Sequence, residues 1–331
     1  MGISPVCVGA SSQILDICIM PNHSPLFTEN SSKNQFVDEF PNGISLYIKR
    51  EDLLHSEVSG NKFRKLKYNI AEALDQKMET LLTFGGAFSN HISATAAAGK
   101  LAGLKTIGII RGEELAGNLK STLNQNPTLQ FANSCGMRFK FISRSDYRNK
   151  GDQGFLDKLK EEFGAFYYIP EGGTNHLAVK GCQEILNKND TEFNFIAVSA
   201  GTGGTISGLI NASCQGQEIL GFPALKGDFL AAEIKKFSFQ DNWKLILNYH
   251  FGGYAKVDSE LINFINNFKD KYQIQLDPVY TGKLVFGIFE LIKKGYFPSG
   301  SKILAIHTGG VQGIPGMNRF LKKKKLPLID F

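Results

Sequence analysis

Along nearly its whole length the chain alternates short runs rich in β-branched and aromatic residues with longer segments of helical periodicity, and glycine turns join the two. This pattern restricts the fold more than any other feature. Strands separated by helix-length segments pair in parallel, and right-handed crossovers then cover both faces of the sheet with helices. The candidate strands span residues 46–49, 80–84, 106–110, 139–142, 166–169, 195–199, 218–222, 244–247 and 302–306. Helical spacing fills residues 61–75, 90–101, 154–162, 177–186, 205–211, 258–269 and 283–293. Nine strands are many for one open sheet, so an α/β chain with two sheets and a cleft between them is expected. Pro170-Glu171-Gly172-Gly173 reads as the hinge. The opening residues are irregular and rich in Pro, Asn and Ser, and no internal repeat is present.

Several function classes fall away on composition. The net charge of +6 comes partly from Lys322 to Lys325, read as a solvated tail, and no basic stripe interleaved with aromatics suggests nucleic acid. The five cysteines, Cys7, Cys18, Cys135, Cys182 and Cys214, are widely spaced with no C-x-x-C pair, so neither a disulfide framework nor a metal site is indicated. A reducing, cytoplasmic setting fits that usage. The first residues are fairly apolar, but no Lys or Arg precedes Lys33 and Asp16 interrupts the run, so they read as mature sequence rather than a secretory signal. No run approaches the roughly 20 apolar residues needed to span a bilayer.

Within this frame Ser59-Gly60-Asn61-Lys62-Phe63-Arg64-Lys65-Leu66 stands out. Phe63, Leu66, Ile70, Ala73 and Leu74 share one helical face, Ser59 or Asn61 can cap, and Lys62 falls at the N-terminal end. The partial positive charge of that end disfavours an ammonium and lowers the lysine's pKa, which makes Lys62 a candidate nucleophile beside the ordinary reading of a solvated lysine.

Four glycine-rich turns would surround it. Ser199-Ala200-Gly201-Thr202-Gly203-Gly204-Thr205 follows an apolar strand and opens a helix, a geometry in which backbone N–H groups and the helix end suit a phosphate. Ile206 stands where a dinucleotide fingerprint needs its third glycine, and the Gly-Lys-Ser/Thr ending of a P-loop is missing. Gly85-Gly86-Ala87-Phe88-Ser89-Asn90-His91 places a polar triplet at a second helix start, either as a plain cap or as a holder of a carboxylate or phenolate oxygen. His307-Thr308-Gly309-Gly310 ends the last strand, and Asp277-Pro278-Val279-Tyr280-Thr281-Gly282-Lys283 brings a tyrosine and a threonine to another helix. All four turns would project at the carboxyl ends of strands, where open α/β sheets gather ligands.

With these motifs in this order, the chain from about residue 46 to 310 resembles the fold-type II pyridoxal-phosphate enzymes, in particular the D-cysteine desulfhydrase and 1-aminocyclopropane-1-carboxylate deaminase family. The resemblance implies a two-domain, tryptophan-synthase-β-like fold of twisted parallel sheets. Residues 1–62 and 176–331 would form a large domain and 63–175 a small one, with pyridoxal 5'-phosphate in the cleft and a homodimer as the assembly. It implies that Lys62 holds the cofactor as a Schiff base, that Asn90 bonds the ring hydroxyl oxygen, and that Gly201, Thr202, Gly203, Gly204 and Thr205 with Lys65 bind the phosphate. Thr281 would face the pyridine nitrogen and Thr308 would belong to the cofactor site. Ser89, Asn90 and His91 would meet a small amino-acid substrate, and Ser89, Tyr280, Tyr254 and Lys62 would carry the chemistry, with a packing role for Tyr254 left open.

Deaminases of this group are similar to one another in having a glutamate after the tyrosine, where this chain has Thr281, and a glutamine more often than His91. A hydroxyl leaves the pyridine nitrogen largely neutral, which suits β-elimination of a good leaving group. The expected activity is therefore desulfhydrase-like elimination of D-cysteine. Deamination of 1-aminocyclopropane-1-carboxylate is the alternative, and a racemase or a non-catalytic pyridoxal-phosphate-binding protein is a more distant one.

Overall fold

The structure, a computed structural model, describes residue 27 and residues 31–227 and 229–331. Cys7, Cys18 and the stretch read as mature sequence lie outside the described residues.

Ten strands form: β1 Asn34–Phe40, β2 Ile44–Lys49, β3 Thr80–Gly86, β4 Lys105–Arg111, β5 Arg138–Ile142, β6 Tyr167–Ile169, β7 Phe195–Ala200, β8 Glu218–Pro223, β9 Trp243–Leu245 and β10 Lys302–Ile306. The helices are α1 Asn61–Asp75, α2 Asn90–Leu101, α3 Leu119–Gln125, α4 Pro127–Ser134, α5 Gln153–Phe163, α6 His176–Gln183, α7 Gly204–Ala212, α8 Phe229–Lys235, α9 Ser259–Tyr272, α10 Thr281–Lys293 and α11 Ile314–Lys324. Two sheets result, one of six strands in the order β1-β2-β10-β7-β8-β9 and one of four in the order β5-β4-β3-β6. Every pairing is parallel except β1 with β2.

Each sheet is sandwiched, as buried parallel strands require. On one face of the large sheet Ile262 and Ile265 of α9 and Leu284 and Ile288 of α10 pack against Leu46, Ala197 and Ile303. Ile206, Leu209 and Ile210 of α7 cover the other face. In the small sheet, Phe63, Leu66 and Ile70 of α1 and Ala94, Ala97 and Ala98 of α2 cluster over Leu81, while Leu156 and Leu159 of α5 close the face bearing Leu82 and Phe84.

The structure corrects several expectations. Strand β1 was not anticipated, because its register shifts between Phe36 and Asp38 and it lies at an edge, so the alternation of its side chains is broken. Strand β9 ends at Leu245, and Leu247 starts a short 3-10 turn. Helices α3 and α4 were not among the expected helices: Pro127 occupies the first turn of α4, and the side chain of Asn126 accepts a hydrogen bond from the Leu129 N–H. Lys322 to Lys324 are the last turn of α11 rather than a tail, with Lys325 closing it in the left-handed region. Cations at a helix C-terminus complement its partial negative charge.

Candidate active site

Helix α1 is seated by backbone rather than by a side-chain cap. Neither Ser59 nor Asn61 caps it: the N-cap is Gly60, with φ of 62° and no side-chain hydrogen bond. A Cβ at that position would lie 2.0 Å from the carbonyl oxygen of Thr308, so only glycine allows the helix to begin against the turn after β10. Ser59 donates its hydroxyl instead to the Asp52 carbonyl at 3.2 Å, and the Asn61 amide donates to Thr205 Oγ1 at 2.9 Å. The start of α1 is thereby tied to two of the glycine turns.

Those turns open onto a cavity of about 500 Å³ between the sheets. Of the residues singled out in the sequence, Lys62, Lys65, Ser89, Asn90 and His91 line it, as do Gly201, Thr202, Gly203, Thr205, Tyr254, Tyr280 and Thr308. Gly204 and Thr281 stand behind the wall. The Thr281 hydroxyl donates to Asp277 Oδ2 at 2.7 Å and accepts from the Asp277 N–H at 2.8 Å, so it does not face the cavity as the sequence suggested. Arg111 and Gln312 also line the cavity and were missed, and so do Glu171 and Ser199, which the sequence had offered only as parts of a hinge and a turn. Arg111 and Ser199 lie at the C-terminal ends of parallel strands, a position that was available as a signal.

Lys62 gives up its proton more readily than an ordinary lysine. Its Nζ donates to Asn61 Oδ1 at 2.9 Å, and its pKa is lowered to about 7, first by burial and then by the charge of Lys65, against a smaller opposing pull from Asp277. The helix end is thus not the leading cause. Burial likewise lowers Lys65 to about 8, while its Nζ donates to the Gly172 carbonyl at 2.9 Å and to Thr174 Oγ1 at 3.0 Å.

His91 is neutral and its tautomer follows from its neighbours. Thr83 Oγ1 donates its one proton to the Ile169 carbonyl at 2.8 Å, so at 2.8 Å from His91 it must accept from Nε2–H. Burial, then Lys62 and Lys65, hold the imidazole well below its ordinary pKa. Tyr280 behaves in the opposite sense: burial, the neighbouring Tyr254 and Asp277 push its phenol well above the usual value, so it stays protonated. The Tyr254 ring meets it edge-on at 6.2 Å, and burial raises that phenol also.

Residues 35–309 match the family described as pyridoxal-phosphate dependent enzymes. The chain belongs to the pyridoxal-phosphate dependent enzymes. Within them it falls in the D-cysteine desulfhydrase and 1-aminocyclopropane-1-carboxylate deaminase family. It is 34% identical over 299 residues to the bifunctional D-cysteine desulfhydrase/1-aminocyclopropane-1-carboxylate deaminase, mitochondrial, of Arabidopsis thaliana, covering 83% of this chain and 74% of that one. A putative 1-aminocyclopropane-1-carboxylate deaminase of Pyrococcus horikoshii is 33% identical, covering 82% and 86%. A crystal structure of an ACC deaminase homologue superposes with a TM-score of 0.71 at 29% identity, covering 86% of this chain and 90% of that one. Threonine deaminase isoform 2 of Solanum lycopersicum, at 17% identity, TM-score 0.62 and coverage of 87% and 81%, shares the fold.

The cavity of this pyridoxal-phosphate enzyme has the features the cofactor needs. Two buried polar atoms among its wall residues, Ser199 Oγ and His91 Nδ1, have no protein partner. The N-cap of helix α7 is Gly203, with φ of 86°, and it makes no side-chain hydrogen bond. A Cβ on Gly204 would lie 2.8 Å from Thr174 Oγ1 and 3.2 Å from Lys65 Nζ, so the lysine sits against the turn that an anion would enter. An uncapped helix start beside a lysine whose only partners are neutral offers the kind of donors that a phosphate needs. Among the described residues no His/Cys/Asp/Glu group could hold a metal ion, and no helix is long and apolar enough to cross a membrane.

Proposed function

We propose that this enzyme is a β-eliminating lyase of D-cysteine desulfhydrase type, producing pyruvate, ammonia and hydrogen sulfide from D-cysteine. The observation that carries this reading is the pairing, in one cavity, of an amine near neutrality with a phenol kept protonated. Lys62 holds the cofactor, the Gly201 to Thr205 turn and Lys65 hold its phosphate, and Asn90 holds the ring oxygen. Bound pyridoxal phosphate supplies the electron sink for the reaction.

The protein's own groups supply the rest. Ser89 and Asn90, at the start of α2, fix the substrate carboxylate, where the Ser89 hydroxyl already accepts from the His91 and Ile92 N–H groups at 3.2 and 3.4 Å. With the substrate amine in its place and its own Nζ free, Lys62 would take the proton from Cα, the Cβ–S bond would break with its electron pair on sulfur, and Tyr280 O–H would protonate the departing hydrosulfide. Water then hydrolyses the three-carbon enamine to pyruvate and ammonia. 1-Aminocyclopropane-1-carboxylate has no hydrogen on Cα, so a base placed to remove one gives it no advantage. Deamination of that substrate to 2-oxobutanoate is the second reading, favoured by the names of the Pyrococcus relatives.

Incubation of the purified holoenzyme with each amino acid decides between them. D-Cysteine should release sulfide and pyruvate in equal amounts at a kcat/KM at least about tenfold above that for 1-aminocyclopropane-1-carboxylate. Faster formation of 2-oxobutanoate would reverse the assignment.

A further inference from the structure

One cation on the cavity wall has no part in the reading above. Arg111, the last residue of β4, is exposed and lines the cavity, with its guanidinium beside the Gly86 backbone of the neighbouring strand. Its central carbon stands over the Tyr147 ring at 5.6 Å, and no carboxylate pairs with it among the described residues. Tyr147 is a firm support: it is 3% exposed, and its hydroxyl donates to Glu171 Oε1 at 2.7 Å. A guanidinium stacked on a fixed ring is held in orientation while its N–H fork stays free.

The nearby acidic group does not cancel this charge. Glu171 also lines the cavity, but Lys150 Nζ lies 3.3 Å from Oε2 on the side away from Tyr147's bond to Oε1. Arg111, Lys150 and Glu171 together leave one positive charge at this wall. The phosphate turn and Lys65 lie on residues from the other sheet and from α1, and the polar triplet for the substrate carboxylate is at the start of α2. Neither cofactor phosphate nor substrate carboxylate is needed to explain a free guanidinium at the end of β4.

We propose that Arg111 is a specificity-determining residue that pairs with a second anionic group, at the side-chain end of the substrate, so that the cavity favours acidic amino acids or amino acids with an anionic leaving group over neutral ones of equal size. The inference rests on the reading of an amino-acid site in this cavity, and it names the substrate class within it.

The test is equilibrium binding of aspartate and asparagine, an isosteric charged and neutral pair, to the holoenzyme, read from the cofactor's absorbance. Both ligands are used in both configurations. Aspartate should bind about tenfold tighter than asparagine in the accepted configuration, the scale of one charge-assisted pair. Arg111→Met should bring the two within about twofold while asparagine binding moves less than about threefold, and Arg111→Lys should keep part of the preference. Retention of the cofactor band shows that each variant is folded. Equal binding of the pair by the unaltered enzyme, no binding of either, or an equal loss of both in Arg111→Met overturns the proposal. The last result would assign Arg111 to the shared carboxylate. The preferred configuration separately tests the D-amino-acid reading, because a charge preference confined to the L-pair would sink D-cysteine and leave Arg111 standing.

Discussion

Helix α1 carries four cations in its first two turns, and its two sides treat them differently. On one side the buried Arg64 forms a two-pronged pair with Glu51, with Nε and Nη2 each 2.8 Å from a carboxylate oxygen, and Lys67 reaches Glu184 at 2.7 Å. The hydrogen bonds and charge of Glu51 outweigh the cost of burial, so the Arg64 pKa is raised. On the other side Lys62 and Lys65 face the cavity with only neutral acceptors, and both are pulled down. The chain therefore sets carboxylates beside the two cations that anchor α1 and none, among the described residues, in ion-pair contact with the two that line the cavity. Uncompensated burial in a wall is the mark of chemistry, and compensated burial is the mark of structure.

Removing the amine should give the largest effect. Lys62→Ala should lower turnover by about a thousandfold or more, the scale of a lost general base, and abolish the visible cofactor band. Retention of the band would move the cofactor to another lysine and dissolve the contrast. Next in size, Glu51→Gln leaves the buried Arg64 with only its longer 3.7 Å pair to Glu184 and should cost about 3 kcal/mol in denaturant unfolding. Lys62→Met, which removes an amine bonded only to the neutral Asn61 side chain, should instead raise the unfolding midpoint of the cofactor-free protein. If both substitutions destabilise alike, the two sides of α1 do not differ as described.

The smallest expected effect is a titration. Only a neutral Lys62 can attack the cofactor, and its lowered pKa keeps it neutral above about 7. Capture of pyridoxal phosphate by the cofactor-free protein should thus level off above that pH and slow about tenfold for each unit below it. A rate still climbing at pH 10 would mean an ordinary lysine.

Much of the architecture was legible because periodicity and burial agree. The bounds of α1, α2 and β10 follow directly from their residue patterns, since Phe63, Leu66 and Ile70 on α1 and the alanines of α2 all turn to one core. The turns were legible because glycine spacing is local. The Thr281 placement was not, because the bond of its hydroxyl to Asp277, four residues earlier, competes with any reach into the cavity, and sequence order does not rank the two. Arg111 and Glu171 escaped notice as site residues for another reason. Each is an ordinary charged residue in its own segment, and only Tyr147, brought to both by the packing of α5's neighbourhood against β3 and β4, makes them a unit.

The glycine at the head of α1 also bears on the order of synthesis. Gly60 lets the helix rest on the Thr308 carbonyl, which lies near the opposite end of the chain, and the Asn61 N–H donates to that same oxygen at 3.3 Å. A nascent polypeptide emerging from the ribosome presents Lys62 well before Thr308, on whose carbonyl its helix is seated. A chain cut short before Thr308 therefore lacks the carbonyl on which the start of α1 is seated.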